Sequence, residues 1–104
     1  MTFGLIVLDR DRYTVRVAER AVTLTRIEFD LLEFLGNHSN RVVSHAEIMR
    51  NIIGRYTDNG DSLIRVHVTH LRRKLGSAST MIQTVRGRGF ILETDQAQIA
   101  ASLK

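Results

Sequence analysis

The stretch Asp61-Ser-Leu-Ile-Arg-Val-His-Val-Thr-His-Leu-Arg-Arg-Lys-Leu-Gly76, followed by Met81-Ile-Gln-Thr-Val-Arg-Gly-Arg-Gly-Phe-Ile-Leu-Glu93, decides how this chain is read. At about 100° per residue, Ile64, Val68, Leu71 and Leu75 fall within roughly 60° of one another, as in a helix that buries one stripe. Opposite them lie Ser62, Val66, Thr69 and Arg73, with Arg65 and Arg72 on one flank and His70 on the other. The spacing predicts a helix over 62–75, with Asp61 or Ser62 as N-cap and Gly76 as terminator. Beyond it, 81–85 and 90–93 read as two strands of a hairpin whose turn is Arg86-Gly-Arg-Gly89.

Charge singles out the same region. Residues 1–61 carry eight Lys or Arg and nine Asp or Glu, whereas 62–92 carry six basic residues and no acid. The formal net charge of +4 therefore belongs to this one interval, and a local positive potential favours a polyanionic partner. A helix face that is short and polar at one end and basic at the other suits the major groove of duplex DNA. Small groups permit close approach, a valine can pack on a thymine methyl, and arginines grip guanines or phosphates. A narrow hairpin tip carrying Arg86 and Arg88 suits a minor groove or a pair of phosphates. Gly87 and Gly89 also have a plainer explanation, since a tight turn needs positive φ.

Toward the N-terminus, Phe3-Gly-Leu-Ile-Val-Leu8, Tyr13-Thr-Val-Arg-Val-Ala18 and Ala21-Val-Thr-Leu24 read as three short antiparallel strands. At Thr25 the period changes. Thr25-Arg-Ile-Glu28 is a capping box that opens a helix with Ile27, Leu31, Phe34 and Leu35 on one face and a stop at Gly36-Asn37. Ser44-His-Ala-Glu47 is a second capping box, opening a helix with Ile48, Ile52 and Ile53 inward, and residues 54–61 form a polar loop. The expected fold is α+β: an N-terminal antiparallel sheet, three helices and a C-terminal β-hairpin. At 104 residues there is room for one domain, placed at 1–93, with 94–104 a tail that has little to anchor it.

Other function classes find little support. With no cysteine, disulfides, thiolate metal sites and cysteine nucleophiles are excluded together. No apolar run approaches the roughly 18–20 residues that span a bilayer, and a cytoplasmic location is expected. His67 and His70 stand three apart on the third helix, but no acid or cysteine between 62 and 92 completes a metal site and the arginines repel a cation. His67 reads as a packing residue. Ser44 beside His45 reads as a helix cap, and Gly87-Arg-Gly89 lacks the helix and the Lys of a phosphate-cradling loop. Neither a cofactor, a metal nor catalysis is expected.

From Leu24 to Leu92 the chain resembles the OmpR/PhoB family of winged helix-turn-helix transcription factors, the effector domains of bacterial response regulators. The matching stretches are Leu24-Thr-Arg-Ile-Glu-Phe-Asp-Leu-Leu32, Arg41-Val-Val-Ser44, Val66-His-Val-Thr-His-Leu-Arg-Arg-Lys-Leu-Gly76 and Ile82-Gln-Thr-Val-Arg-Gly-Arg-Gly-Phe90. The resemblance implies that 62–75 is the recognition helix and 81–93 the wing. It implies DNA contacts at Ser62, Leu63, Val66, Thr69, His70 and Arg72 on the helix and at Thr84 and Arg86 on the wing. Charge and geometry add Arg65, Arg73 and Arg88. The family further implies a contact of loop 54–61 with RNA polymerase and a homodimer on direct-repeat DNA.

The chain also departs from the family pattern. Ser62 and His70 stand where arginine is common, Arg65 where aspartate is, Ile53 where tryptophan is frequent, and Phe90 where the wing has tyrosine. The first three lie where base preference is set, so the target sequence is its own. The family's receiver domain has no place within these 104 residues; the piece is expected to be an effector domain, either excised or naturally without a receiver. The rival reading is a winged-helix protein-interaction module without productive DNA binding, which should have lost the arginines that this chain keeps.

Overall fold

The computed structural model describes residues 1–55 and 60–94, with backbone alone at 55 and 60–63. Four short strands open the chain: β1 (Thr2–Phe3), β2 (Ile6–Asp9), β3 (Thr14–Val17) and β4 (Arg20–Val22). They form an antiparallel sheet in sequential order, with Phe3 opposite Ile6, Leu8 opposite Val15 and Val15 opposite Val22. The apolar run expected as a single strand over 3–8 is thus two strands. The chain reverses at Gly4-Leu5, where Gly4 takes a φ of +59°. The β3–β4 turn is two residues long, with Ala18 and Glu19 both at positive φ, the backbone twist that two-residue hairpins favour. Arg16 donates to the Glu19 carbonyl across it at 2.8 Å.

Both capping boxes form as the residue types demand. The Glu28 amide donates to Thr25 Oγ1 at 3.2 Å while Glu28 Oε1 accepts from the Thr25 amide at 2.9 Å, starting α1 (Arg26–Asn37). At Ser44 the Glu47 amide donates to Oγ at 3.1 Å and Glu47 Oε1 accepts from the Ser44 amide at 3.2 Å, starting α2 (His45–Asn51). Each box satisfies two amides that a helix start leaves unpaired. The first helix runs through Gly36 and is capped at His38, so the stop falls beyond the glycine. A single 3-10 turn, Ile53–Arg55, follows α2.

The third helix, α3 (Gly60–Leu75), begins before the expected N-cap, which places Asp61 and Ser62 in its first turn. Gly76 takes a φ of +55° and ends the helix as expected, but the chain then winds through a 3-10 segment, Gly76–Met81, before β6 (Ile82–Val85) and β7 (Gly89–Leu92). An additional strand, β5 (Val43–Ser44), pairs with β7 and gives a second sheet ordered β5-β7-β6. Gly89 makes this pairing feasible: a Cβ there, at a φ of +153°, would stand 2.0 Å from the Val43 carbonyl oxygen.

The core lies where the two sheets and three helices meet. Ile64, Val68, Leu71 and Leu75 are at most 1% exposed, so the stripe read from the period is the buried face. They pack with Leu31, Leu32 and Leu35 of α1, Ile48 of α2, Ile53, and Phe90 and Leu92 of β7 in one apolar cluster. Across it, buried Glu28 accepts from Lys74 Nζ at 2.7 Å, tying the start of α1 to the last turn of α3. Burial pushes the Glu28 carboxyl up, but Lys74 and the cap at Thr25 outweigh it and hold it below its ordinary value.

Candidate nucleic-acid interface

With its apolar stripe buried, α3 presents the opposite face outward. Arg65, Val66, Thr69, His70 and Arg73 are exposed, and Val66, at 43%, is among the few large apolar side chains left in water among the described residues. Arg72 is half-buried. His67 is half-buried beside the core. Its imidazole is pushed below its ordinary pKa by burial first and by His70 to a lesser degree, against the pull of Glu28, which suits a neutral packing ring. Ser62 and Leu63 lie on the first turn of α3, and their side chains fall outside the described residues. So do residues 56–59 of loop 54–61.

The hairpin carries its charges at the tip. Arg86, Gly87 and Arg88 are exposed, and the Arg88 amide donates to the Val85 carbonyl at 2.9 Å, closing the turn. Gly87 takes a φ of +76° with open space around its Cα, whereas Gly89 is required by β5. The two glycines thus serve different ends. Thr84 is exposed on β6, and Phe90 turns into the core, where the His45 ring meets it at a tilt of 48° with ring centroids 5.4 Å apart. The wing position often held by tyrosine is filled here by a packing residue.

Arg72 joins the helix to the hairpin. Its Nε donates to the Ile82 carbonyl at 2.9 Å, its Nη2 donates to Thr84 Oγ1 at 2.7 Å, and its guanidinium stands 5.9 Å from the Phe90 ring centroid. Two of the expected DNA-contact residues, one on the helix and one on the wing, are therefore bonded to each other. Nothing in the sequence marks this tie, because it needs the register of β6 against α3. On one side of it a recess of about 280 Å³ is lined by Arg65, Thr69 and Phe90. On the other a groove of about 650 Å³ runs past Arg73, Gly76, Thr80 and Gln83.

Of the six basic side chains in the acid-free interval, Lys74 is committed to Glu28. Among the described residues no carboxylate pairs with Arg65, Arg72, Arg73, Arg86 or Arg88. Five guanidinium groups on one helix–hairpin surface can hold several anionic oxygens at a spacing set by rigid elements. Among the described residues no group of three or more His, Cys, Asp or Glu side chains could hold a metal ion, and no described helix is long and apolar enough to cross a membrane.

Comparison with known proteins places this geometry. Residues 19–92 match the family model described as "Transcriptional regulatory protein, C terminal". The probable transcriptional regulatory protein TcrX of Mycobacterium tuberculosis is 33% identical over 94 residues, covering 89% of this chain and 40% of that protein. The chain spans about two-fifths of the length of the curated relatives it matches. Among solved structures, the RstA DNA-binding domain of Klebsiella pneumoniae in complex with the RstA box superposes with a TM-score of 0.79 at 26% identity, over 91% of this chain and 97% of that one. The DNA-binding domain of the response regulator AdeR, in complex with an intercistronic region, gives 0.82 at 25% identity, over 91% and 100%.

Proposed function

This chain belongs to the family of C-terminal domains of transcriptional regulatory proteins, with the winged helix-turn-helix fold of the OmpR/PhoB type, and on that premise we propose that it binds double-stranded DNA in a sequence-specific way to regulate transcription. The observation that carries the reading is the basic face itself: α3 and the β6–β7 hairpin set five arginines without acidic partners, among the described residues, around exposed Val66, Thr69 and His70.

In this reading α3 lies in the major groove. Val66 meets a thymine methyl, Thr69 and His70 meet base edges, and Arg65 and Arg73 hold flanking phosphates. The hairpin reaches the adjacent minor groove with Arg86 and Arg88. Ser62 and Leu63 belong to the same contact set by their place on the first turn of α3, Thr84 by its place on β6 of the wing, and Arg72 by its bond to Thr84. Two copies occupy half-sites on one face of the duplex, repeating every ~10–11 base pairs. The segment 54–61, which runs from the 3-10 turn into the first residues of α3, is the candidate contact for RNA polymerase. The domain is assigned to 1–93 and the tail to 94–104, in a cytoplasmic response regulator without catalytic activity of this piece.

Binding to a labelled duplex across a salt series tests the reading. About 4–6 phosphate contacts per copy predict that log K falls against log salt with a slope near −4 to −5. A protein that leaves the duplex unbound even at low salt is not a DNA-binding domain, and the arginine face would then belong to a protein partner.

A further inference from the structure

Of the residues lining the groove on the far side of the Arg72–Thr84 tie, only Arg72, Arg73 and Thr84 belong to the contacts set out above. It runs between the last turn of α3, the 3-10 segment and β6, where Ser79 and Thr80 offer hydroxyls and Gln83, whose Nε2 also donates to the Thr80 carbonyl, lines the wall. None of its lining residues is acidic. At its rim stands a cation from elsewhere in the chain. The two-residue β3–β4 turn delivers Arg20, whose Nη2 lies 2.6 Å from where a Cβ on Gly76 would stand. Glycine at 76 thus leaves room for the Arg20 guanidinium. Among the described residues no carboxylate pairs with Arg20.

We propose that Arg20, Arg73 and the polar side chains of the 76–84 segment form a phosphate-binding site at the C-terminal end of α3, separate from the wing tip. Two guanidinium groups, with the N–H groups of Arg72 left over from its tie to β6, supply charge-assisted donors to tetrahedral oxygens. Hydroxyls at 79 and 80 supply neutral ones. The groove is open and about 650 Å³ in volume, which suits a passing phosphodiester better than a small anion that must be enclosed. On the DNA-binding reading, on which this source of phosphate rests, the site holds a backbone phosphate beyond the base-reading part of α3 and lengthens the footprint of each copy. A free phosphate monoester offers the same chemistry.

The test uses Arg20→Gln, because Arg20 is exposed on β4 and takes no part in the core. Arg12→Gln, an exposed arginine on the β2–β3 turn, is the control. If the duplex supplies the phosphate, Arg20→Gln flattens the salt slope by about 0.9 and weakens binding about fivefold at physiological salt, while Arg12→Gln leaves both unchanged. Thr80→Glu, which puts a carboxylate in the groove, weakens binding at least as much. If the source is free phosphate, inorganic phosphate raises the melting temperature of the unsubstituted protein but not of Arg20→Gln, and the DNA slope stays put. A protein that binds duplex with the slope unmoved by Arg20→Gln and Thr80→Glu, and that inorganic phosphate does not stabilise, has no such site, while its DNA binding stands. If no duplex is bound at all, the DNA reading fails by itself and the phosphate melt alone decides the site.

Discussion

Replacing Arg72 with Met should cost stability and DNA affinity together, which sets it apart from every arginine at the wing tip. The guanidinium makes two hydrogen bonds from α3 to β6, at 2.9 Å to the Ile82 carbonyl and 2.7 Å to Thr84 Oγ1. Each is charge-assisted and worth up to about 1.5–3 kcal/mol when buried. Arg72 is only half-buried, and water replaces part of what is lost, so about 1–2 kcal/mol in total is the reasonable expectation. For a domain of this size that lowers the melting temperature by roughly 4–15 °C. Met keeps an unbranched side chain of similar length at this position, so the loss reads the polar tie more than the removal of side-chain bulk. A double-mutant cycle with Thr84→Val isolates the bond between the side chains, and the coupling should be about 1 kcal/mol in thermal or urea unfolding. Arg72→Lys keeps the charge but not the two-pronged geometry and should recover less than half of the stability. If Arg72→Met melts within a degree of the parent and the cycle gives no coupling, the tie is not a structural element, and Arg72 is simply one more surface cation.

Arg86→Ala, by contrast, should leave the melting temperature unchanged and flatten the salt slope of duplex binding by about one unit. Gly89→Ala should be severe, because its Cβ would stand 2.0 Å from the Val43 carbonyl oxygen; a loss of more than about 2 kcal/mol in urea unfolding is expected, against about 1 kcal/mol for Gly87→Ala, which suffers only the positive φ. Glu28 is held below its ordinary carboxylate value of 4.5 despite its burial, and Glu47, bonded by Arg41 and capped by the Ser44 amide, is pushed down to about 2. Both carboxylates bind protons less readily folded than unfolded. Their stabilisation is therefore present in full above about pH 4.5 and drains away as the pH falls through the folded values. Glu28→Gln should lower the melting temperature at neutral pH and make its fall below about pH 4.5 shallower; an equally steep fall would mean that the Lys74 pair contributes nothing.

What could be read in advance follows from the range of the forces involved. Capping boxes at Thr25 and Ser44 are local, each closed within four residues, and the buried stripe of α3 is set by a period that survives any tertiary arrangement. These elements lie where expected. The β1–β2 reversal is hidden because Gly4 sits inside an apolar run, and only burial of Phe3 and Ile6 on the same side of the sheet reveals it. Strand β5 is two residues long and exists only because β7 comes to it from the far end of the chain. The 3-10 segment 76–81 has no apolar period to announce it. The site shows the same division. Which arginines lie in the acid-free interval was legible, and so was the outward direction of Val66, Thr69, His70 and Arg73. That Arg72 would bond to Thr84, that Lys74 would be spent on Glu28, and that Arg20 would come to rest over Gly76 each depends on a pairing between distant segments.

Selection of bound sequences from a random duplex library at physiological salt shows whether the outward face of α3 reads base sequence. The expected result is enrichment of two similar half-sites in tandem, about 10–11 base pairs apart, with the preferred base pair changing when Val66 or His70 is substituted, by roughly 1–3 kcal/mol per base contact. Identical selected sites with and without those substitutions, or no enrichment above salt-sensitive background binding, would contradict it.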